Sequence, residues 1–132
     1  MIAKTRYLTP EQVLFLHSRL IKATGGRHGI RNLEMLLSAL RLPQAASGNR
    51  ELYPDLFTKT AVLLDSLVRL QPFVDGNTRT AITTAGIFLK FNSQRLIASH
   101  AELVRFALVC DRSQLSLGEI ARRLNQYSRP EK

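Results

Sequence analysis

The sequence has 132 residues, 45% of them hydrophobic, and a formal net charge of +9. The length suits a single domain with a sizeable core, the hydrophobic fraction argues against intrinsic disorder, and no apolar run is long enough to cross a bilayer. The excess of basic residues favours a polyanionic partner (nucleic acid, a nucleotide phosphate or an acidic protein), although the charge also serves solubility.

The single cysteine, Cys110, has no partner for an internal disulfide and lies in an apolar run. We therefore interpret it as a small core side chain in a reducing compartment. The first six residues lack the apolar stretch of a signal peptide. These features predict a cytoplasmic protein with no membrane partner.

Start and stop signals predict the first two helices. Thr9 is a good N-cap, Pro10 suits the first helical position and Gln12 completes a capping box. Two glycines at positions 25 and 26 end this helix, because glycine tolerates the left-handed conformation found there. Asn32 caps a second helix, which Pro43 stops after about position 42.

The same signals predict four more helices, which start near Asp55, Thr78, Ser99 and Ser116. The third helix, which ends at Leu70, is apolar nearly all round, so we expect it to be central. Turn residues predict a flexible loop or short hairpin at 44–53, and residues 95–97 are expected to be extended. The fold class is all-α: residues 1–132 form one compact six-helix bundle, with a frayed tail at 126–132.

The loop between the third and fourth helices has the features of an anion site. Backbone N–H groups at a helix start have no intrahelical partners and lie at the positive end of the helix dipole. Gly76 allows a phosphate to approach the amides of Asn77 and Thr78, and Arg79 can form a forked contact to phosphate oxygens. Asp75 offers an oxygen ligand for the Mg²⁺ that usually accompanies nucleotide phosphates.

A purely structural interpretation of the same loop stays open. Asp75, Gly76 and Asn77 then form an ordinary turn with a helix cap, and Arg79 is solvated. Phe73 is expected to anchor the loop against the core in either case.

The complete string resembles the signature of the Fic/Doc family, His-x-Phe-x-(Asp, Glu or Asn)-(Gly or Ala)-Asn-x-Arg. The matching residues are Phe73, Asp75, Gly76, Asn77 and Arg79. Further segments that look like the Doc branch of this family are 6–9, 25–32, 36–40, 43–44 and 51–57. The short chain and Ile82, where AMP-transferring Fic enzymes have a second arginine, also favour the Doc branch.

The resemblance implies a Fic/Doc-type bundle and a specific activity. Doc proteins are toxins of toxin–antitoxin pairs, and they use ATP and Mg²⁺ to phosphorylate a threonine of elongation factor Tu, which halts translation. A Phd-like antitoxin, bound through a C-terminal helix in an apolar groove, would neutralise such a toxin. By the same resemblance, residues 44–53 are a flap near the site that helps to dock the protein target.

Two positions depart from the family pattern. The histidine that accepts the proton of the attacking hydroxyl is Gln71, and an amide cannot take that proton near neutral pH. The lysine typical of Doc proteins is Thr78, so the phosphate site loses one positive charge. We expect impaired catalysis and weaker phosphate binding, although positioning and charge stabilisation support some phosphoryl transfer without a base.

Several interpretations therefore stay open. The chain is a divergent Doc relative with reduced or changed activity, including AMP transfer, or a catalytically inactive module that binds nucleotide or antitoxin, or a protein in which Gln71 is an introduced change. A basic helical nucleic-acid binder ranks last, because no recognition-helix signature is present.

The three histidines are assigned no catalytic role. His17 is expected to be a packed or surface residue of the first helix, and His100 to be exposed. His28 lies in a glycine-rich turn from which it can approach a ligand, but a lone histidine rarely acts without an orienting partner. The three show no metal-ligand spacing.

Overall fold

Local capping determines where most helices begin. In the computed structural model, which describes residues 4–112 and 114–131, Thr9, Ser99 and Ser116 each form a complete capping box. Asn32 and Asp55 cap two further helices through their side chains. The helices are α1 Pro10–Thr24, α2 Leu33–Arg41, α3 Leu56–Leu70, α4 Asn77–Phe91, α5 His100–Asp111 and α6 Leu117–Gln126. The prediction of six helices is confirmed, with starts within two residues of those expected.

The core is built around α3, which packs against α4 on one side and α6 on another. Nine of its fifteen residues are buried, which confirms that this helix is central. The large, fully buried apolar side chains of the core include Leu36, Leu64, Leu67, Phe88, Ile120 and Leu124. Cys110 is also buried, and burial raises the pKa of its thiol to about 11, so it is an unreactive core residue as predicted.

A small hairpin lies between α2 and α3. A 3₁₀ turn at Leu42–Gln44 precedes β1 Ala46–Ser47, which pairs antiparallel with β2 Arg50–Glu51. We call residues 46–51 the flap hairpin. Of the two alternatives that the sequence left open for 44–53, the structure therefore has the hairpin.

A second strand pair holds residues 128–130, so the expectation of a frayed tail at 126–132 is wrong for 126–131, and residue 132 lies outside the described residues. β4 Ser128–Pro130 pairs antiparallel with β3 Gln94–Leu96, and the backbone N–H of Glu131 donates to the carbonyl of Ser93 at 2.9 Å. The hydroxyl of the buried Ser128 donates to the carbonyl of Leu124 at 2.6 Å. The polar sequence did not indicate a strand here, because most of β4 is stabilised by backbone hydrogen bonds and not by buried side chains. The extended piece expected at 95–97 is β3.

No helix in the described part of the chain is long and apolar enough to span a membrane.

Two buried threonines on α4 provide a test of the core. The hydroxyls of Thr80 and Thr84 have no hydrogen-bond partner among the described residues, and Thr84 is fully buried. Because an unpaired hydroxyl in the core is destabilising, we expect Thr84→Val to raise the free energy of unfolding by about 1 kcal/mol. Urea denaturation measures this, with Thr83→Val, a half-buried position on the same helix, as the control. A loss of stability in Thr84→Val would show that the hydroxyl is bonded.

Candidate functional site

The first turn of α4 leaves its amides available to a ligand. Its N-cap, Gly76, has no side chain to bond them, and the first intrahelical bond runs from the N–H of Thr80 to the carbonyl of Gly76 at 3.0 Å. In the described part of the chain, the N–H groups of Asn77, Thr78 and Arg79 have no acceptor. They border an open pocket of about 300 Å³ that is lined by Gln71 and residues 74–79. Free amides at a helix start are the feature on which the prediction of an anion site depends, and that site stays a prediction.

Gly76 is required by the backbone geometry at this point. Its φ is +75°, in the left-handed region, and a Cβ there would lie 2.9 Å from Cδ1 of Ile21 and 3.4 Å from Nη2 of Arg79. A side chain would therefore be strained and would crowd the contact between α1 and the loop.

Asn77 and Phe73 hold the loop in place. The side-chain amide of Asn77 makes two bonds to the backbone of Phe73: its Oδ1 accepts from the N–H at 2.9 Å and its Nδ2 donates to the carbonyl at 3.0 Å. Phe73 is 1% exposed, and its ring stacks on that of His17 at a centroid distance of 3.8 Å. Phe73 thus lies buried against the core, where a loop anchor was expected. Because the side-chain amide of Asn77 is directed to the backbone of Phe73, what Asn77 offers a ligand is chiefly its backbone N–H.

His17 is a packed residue of α1 that contacts the loop at Phe73 and Asp75. Its Nε2 donates to the backbone carbonyl of Asp75 at 2.8 Å. Burial lowers the pKa of its imidazole, although the bond to Asp75 opposes this effect. The prediction of a packed or surface histidine is confirmed, but its contact with the site was missed because α1 is distant in sequence.

The lowered pKa of His17 predicts acid sensitivity. The unfolded chain binds a proton at His17 more readily than the folded one, so the stability it contributes is complete above about pH 6.5 and is lost as the pH falls below that value. We expect His17→Gln to flatten the pH dependence of the unfolding free energy between about pH 7.5 and 5, measured by urea denaturation. An NMR titration of the His17 ring with a midpoint above 6.5 would contradict this.

Asp75 is held in its ionised form at the rim of the pocket. Its Oδ2 accepts from the backbone N–H of Arg27 at 3.2 Å and its Oδ1 from that of Gly76 at 2.9 Å. These bonds, the Arg27 bond first, together with the positive charge of Arg79, lower the pKa of the carboxyl group. A carboxylate of this kind has the chemistry of an Mg²⁺ ligand and keeps unshared lone pairs for one. The described residues contain no cluster of three or more metal-binding side chains.

Arg79 lines the pocket, but one arm of its guanidinium group is hydrogen-bonded to the end of α1. Its Nη1 donates to the carbonyl of Gly25 at 3.0 Å and to the hydroxyl of Thr24, at the C-terminal end of α1. The expected forked contact to phosphate is therefore limited to the remaining N–H groups, unless this arm is released.

The two positions that depart from the family pattern are both at the pocket. Gln71 is exposed and has a left-handed backbone, with φ 45° and ψ 61°, directly after the last residue of α3. The hydroxyl of Thr78 donates to Oδ1 of Asp111, at the end of α5, at 3.0 Å. That hydroxyl is thus already bonded, so what Thr78 offers a phosphate is chiefly its backbone N–H.

Residues 27–31 cover one side of the loop, and their contacts with it were not predicted from the sequence. Besides the bond from Arg27 to Asp75, the guanidinium of Arg31 donates to the carbonyls of Leu70 and Gln71, each at 2.6 Å. The only signals were the two glycines before this segment and the family-like string around Arg31. His28 is exposed, as is His100, and neither side chain makes a hydrogen bond among the described residues.

Comparison with known proteins places the chain in a family. Residues 7–89 match the Fic/DOC family. The chain is 42% identical over 94 residues to "Toxin Doc" of Mycolicibacterium smegmatis, an alignment that covers 71% of this chain and 70% of the relative. It is 28% identical over 116 residues to "Protein kinase doc" of Escherichia phage P1, covering 88% and 90% respectively. The chain belongs to the Fic/Doc family, and its relatives place it in the Doc branch.

Proposed function

We propose that this chain is a Doc-like toxin that transfers a phosphoryl group from ATP to a protein hydroxyl, at a rate limited by Gln71. The observation that carries the proposal is the pocket at the start of α4, where three free amides adjoin the ionised Asp75 and Arg79. Relatives named as a toxin and as a protein kinase support the same conclusion.

Each residue of the pocket has a role in the proposed reaction. The amides of Asn77, Thr78 and Arg79 bind phosphate oxygens, and the remaining N–H groups of Arg79 stabilise the charge on the transferred group. Asp75 would hold Mg²⁺, which neutralises phosphate charge when bound. Gln71 orients the acceptor hydroxyl through its amide and leaves the proton to solvent.

By resemblance, the acceptor is a threonine of elongation factor Tu in the cytoplasm, and a Phd-like antitoxin neutralises the protein. The flap hairpin would help to dock the target. Transfer of AMP instead of a phosphoryl group is a variant of the same proposal, since it needs only the opposite orientation of the nucleotide.

The experiment is direct. The protein is incubated with ATP, Mg²⁺ and elongation factor Tu, and the target is weighed by intact-mass spectrometry, with Asp75→Asn as the inactive control. We expect the mass gain of one phosphoryl group; the gain of an AMP moiety would indicate nucleotidyl transfer. The absence of any covalent product, also with Gln71→His, would overturn the proposal.

A second candidate is an inactive module that binds nucleotide or antitoxin. The observation that favours it is Gln71, which has no basic group to offer at the position of the family histidine. Both candidates should bind ATP in calorimetry and lose that binding in Arg79→Ala. The inactive module is distinguished because it yields no covalent product in the mass-spectrometric experiment.

A further inference from the structure

The shortest hydrogen bonds from outside the motif to the site loop are made by Arg31. Its Nε donates to the carbonyl of Gln71 and its Nη2 to the carbonyl of Leu70, both at 2.6 Å. These carbonyls are at the C-terminal end of α3, where backbone acceptors lack helical partners and the helix dipole is negative. A guanidinium with two arms in one plane can bind both at once, and such charge-assisted bonds are stronger than neutral ones.

The backbone around Arg31 aligns with the same loop. The N–H groups of Arg31 and Asn32 donate to the carbonyl of Pro72 at 2.7 and 3.0 Å, and the N–H of Val74 donates to the carbonyl of Gly29 at 3.0 Å. Residues 29–32 and 71–74 therefore lie side by side, which places the Arg31 side chain over Gln71.

Gln71 needs such a contact because of its backbone conformation. A residue with a Cβ at φ 45° costs on the order of 1 kcal/mol relative to an ordinary conformation, so it persists only where the surroundings fix it. The carbonyl of Gln71 makes its bond to Arg31, and no other bond to it is present in the described structure. Fixing this peptide also fixes the direction in which the Gln71 side chain leaves the backbone, at the edge of the pocket.

We propose that Arg31 is a positioning residue that holds Gln71 in its left-handed conformation and so aims the Gln71 side chain into the phosphate pocket. Arg31 does not line that pocket, and it acts through the peptide that follows α3. Its relevance to phosphoryl transfer rests on the proposed function, whereas its hold on Gln71 does not.

The test compares Arg31→Ala and Arg31→Lys with Arg105→Ala, which changes an exposed arginine of α5 whose side chain makes no hydrogen bond in the described structure. In Arg31→Ala we expect amide hydrogen exchange at Asn32 and Val74, whose N–H groups bond the carbonyls of Pro72 and Gly29, to accelerate by about tenfold or more. Exchange at Leu64 and Leu67 in the α3 core should be unchanged. The side-chain amide of Gln71 should lose order in ¹⁵N relaxation measurements. Millimolar guanidinium should restore the order, and lysine should restore little, because an ammonium is a point charge without the planar fork.

Activity is a separate readout. In the Gln71→His background, Arg31→Ala should lower the turnover rate by about 100-fold while changing the Kd for ATP less than about threefold, because misplacing a reacting group affects the chemical step. Unchanged exchange at Asn32 and Val74, together with unchanged order at Gln71, would overturn the proposal, as would raised exchange without loss of turnover in an active background. If the Gln71→His protein yields no product at all, the proposed function fails, and exchange and relaxation alone decide whether Arg31 positions Gln71.

Discussion

Replacing Gln71 by histidine should raise the rate of phosphoryl transfer by about 10²–10⁴, the usual contribution of a positioned general base. The side chain at this position lines the pocket beside the free amides of α4. Because the bond from Arg31 is to the backbone carbonyl at this position and not to the side chain, a histidine can occupy the position without loss of that bond. Single-turnover assays with ATP, Mg²⁺ and elongation factor Tu measure the gain, and induced expression of Gln71→His should arrest growth more strongly than the original chain.

Gln71→Asn and Gln71→Ala are the matched controls, since neither supplies a base, and both should remain at or below the original rate. Asp75→Asn introduced into the histidine variant should remove the gain if catalysis depends on the same pocket. An equal rate for the glutamine and histidine proteins would contradict our account of Gln71 as the limiting residue.

Glu51→Ala should destabilise the protein more than Lys59→Met does. This order is the reverse of what burial suggests, because the Glu51 side chain is 51% exposed and that of its partner Lys59 only 1%. The Nζ of Lys59, on α3, donates to Oε1 of Glu51, on the flap hairpin, at 2.8 Å and lies 3.4 Å from the carbonyl of Pro43. Burial lowers the pKa of Lys59, but the contacts to Glu51 and Tyr7 outweigh it and raise the pKa overall, so the ammonium form persists in the core. Glu51→Ala leaves this charge buried without its partner, which we expect to cost about 3 kcal/mol.

Lys59→Met is the comparison, because it replaces the charge with an apolar chain of similar length and should change stability by only about 1 kcal/mol. Adding Glu51→Ala to Lys59→Met should then cost little, and urea denaturation of the four proteins gives the coupling energy. Equal losses from the two single substitutions would contradict the argument. Because the pair joins the flap hairpin to α3, Glu51→Ala should also raise proteolytic cleavage within 46–51 under native conditions.

The helices were predictable because their boundaries are determined by local chemistry. The hydroxyls of Thr9, Ser99 and Ser116 bond amides three residues away, and the same residues are visible in the sequence. The strand Ser128–Pro130 was not predictable, because its partner, Gln94–Leu96, is more than 30 residues away and the bonds are backbone ones that leave no pattern of side chains.

In the site, too, the local features were predictable from the sequence and the contacts between distant residues were not. Gly76, Asn77 and Arg79 follow one another at the start of a predicted helix, so the free amides could be inferred from the motif and from helix geometry. The contacts that constrain them come from elsewhere: the bond from Arg79 to the end of α1, the stacking of His17 on Phe73 and the bond from Thr78 to Asp111 each join residues 33 or more positions apart. Such pairs depend on how the helices pack, and a single sequence does not record that.

Binding of a nucleotide's phosphates by the unpaired amides of α4 can be observed at those amides themselves, through their chemical shifts. On titration of ¹⁵N-labelled protein with ATP and Mg²⁺, we expect the largest saturable shifts at Asn77, Thr78 and Arg79, with much weaker binding in Arg79→Ala. Inorganic triphosphate should shift the same amides, because the contacts are to phosphate. Unchanged amides at these three positions, or shifts confined to other surfaces, would contradict the account.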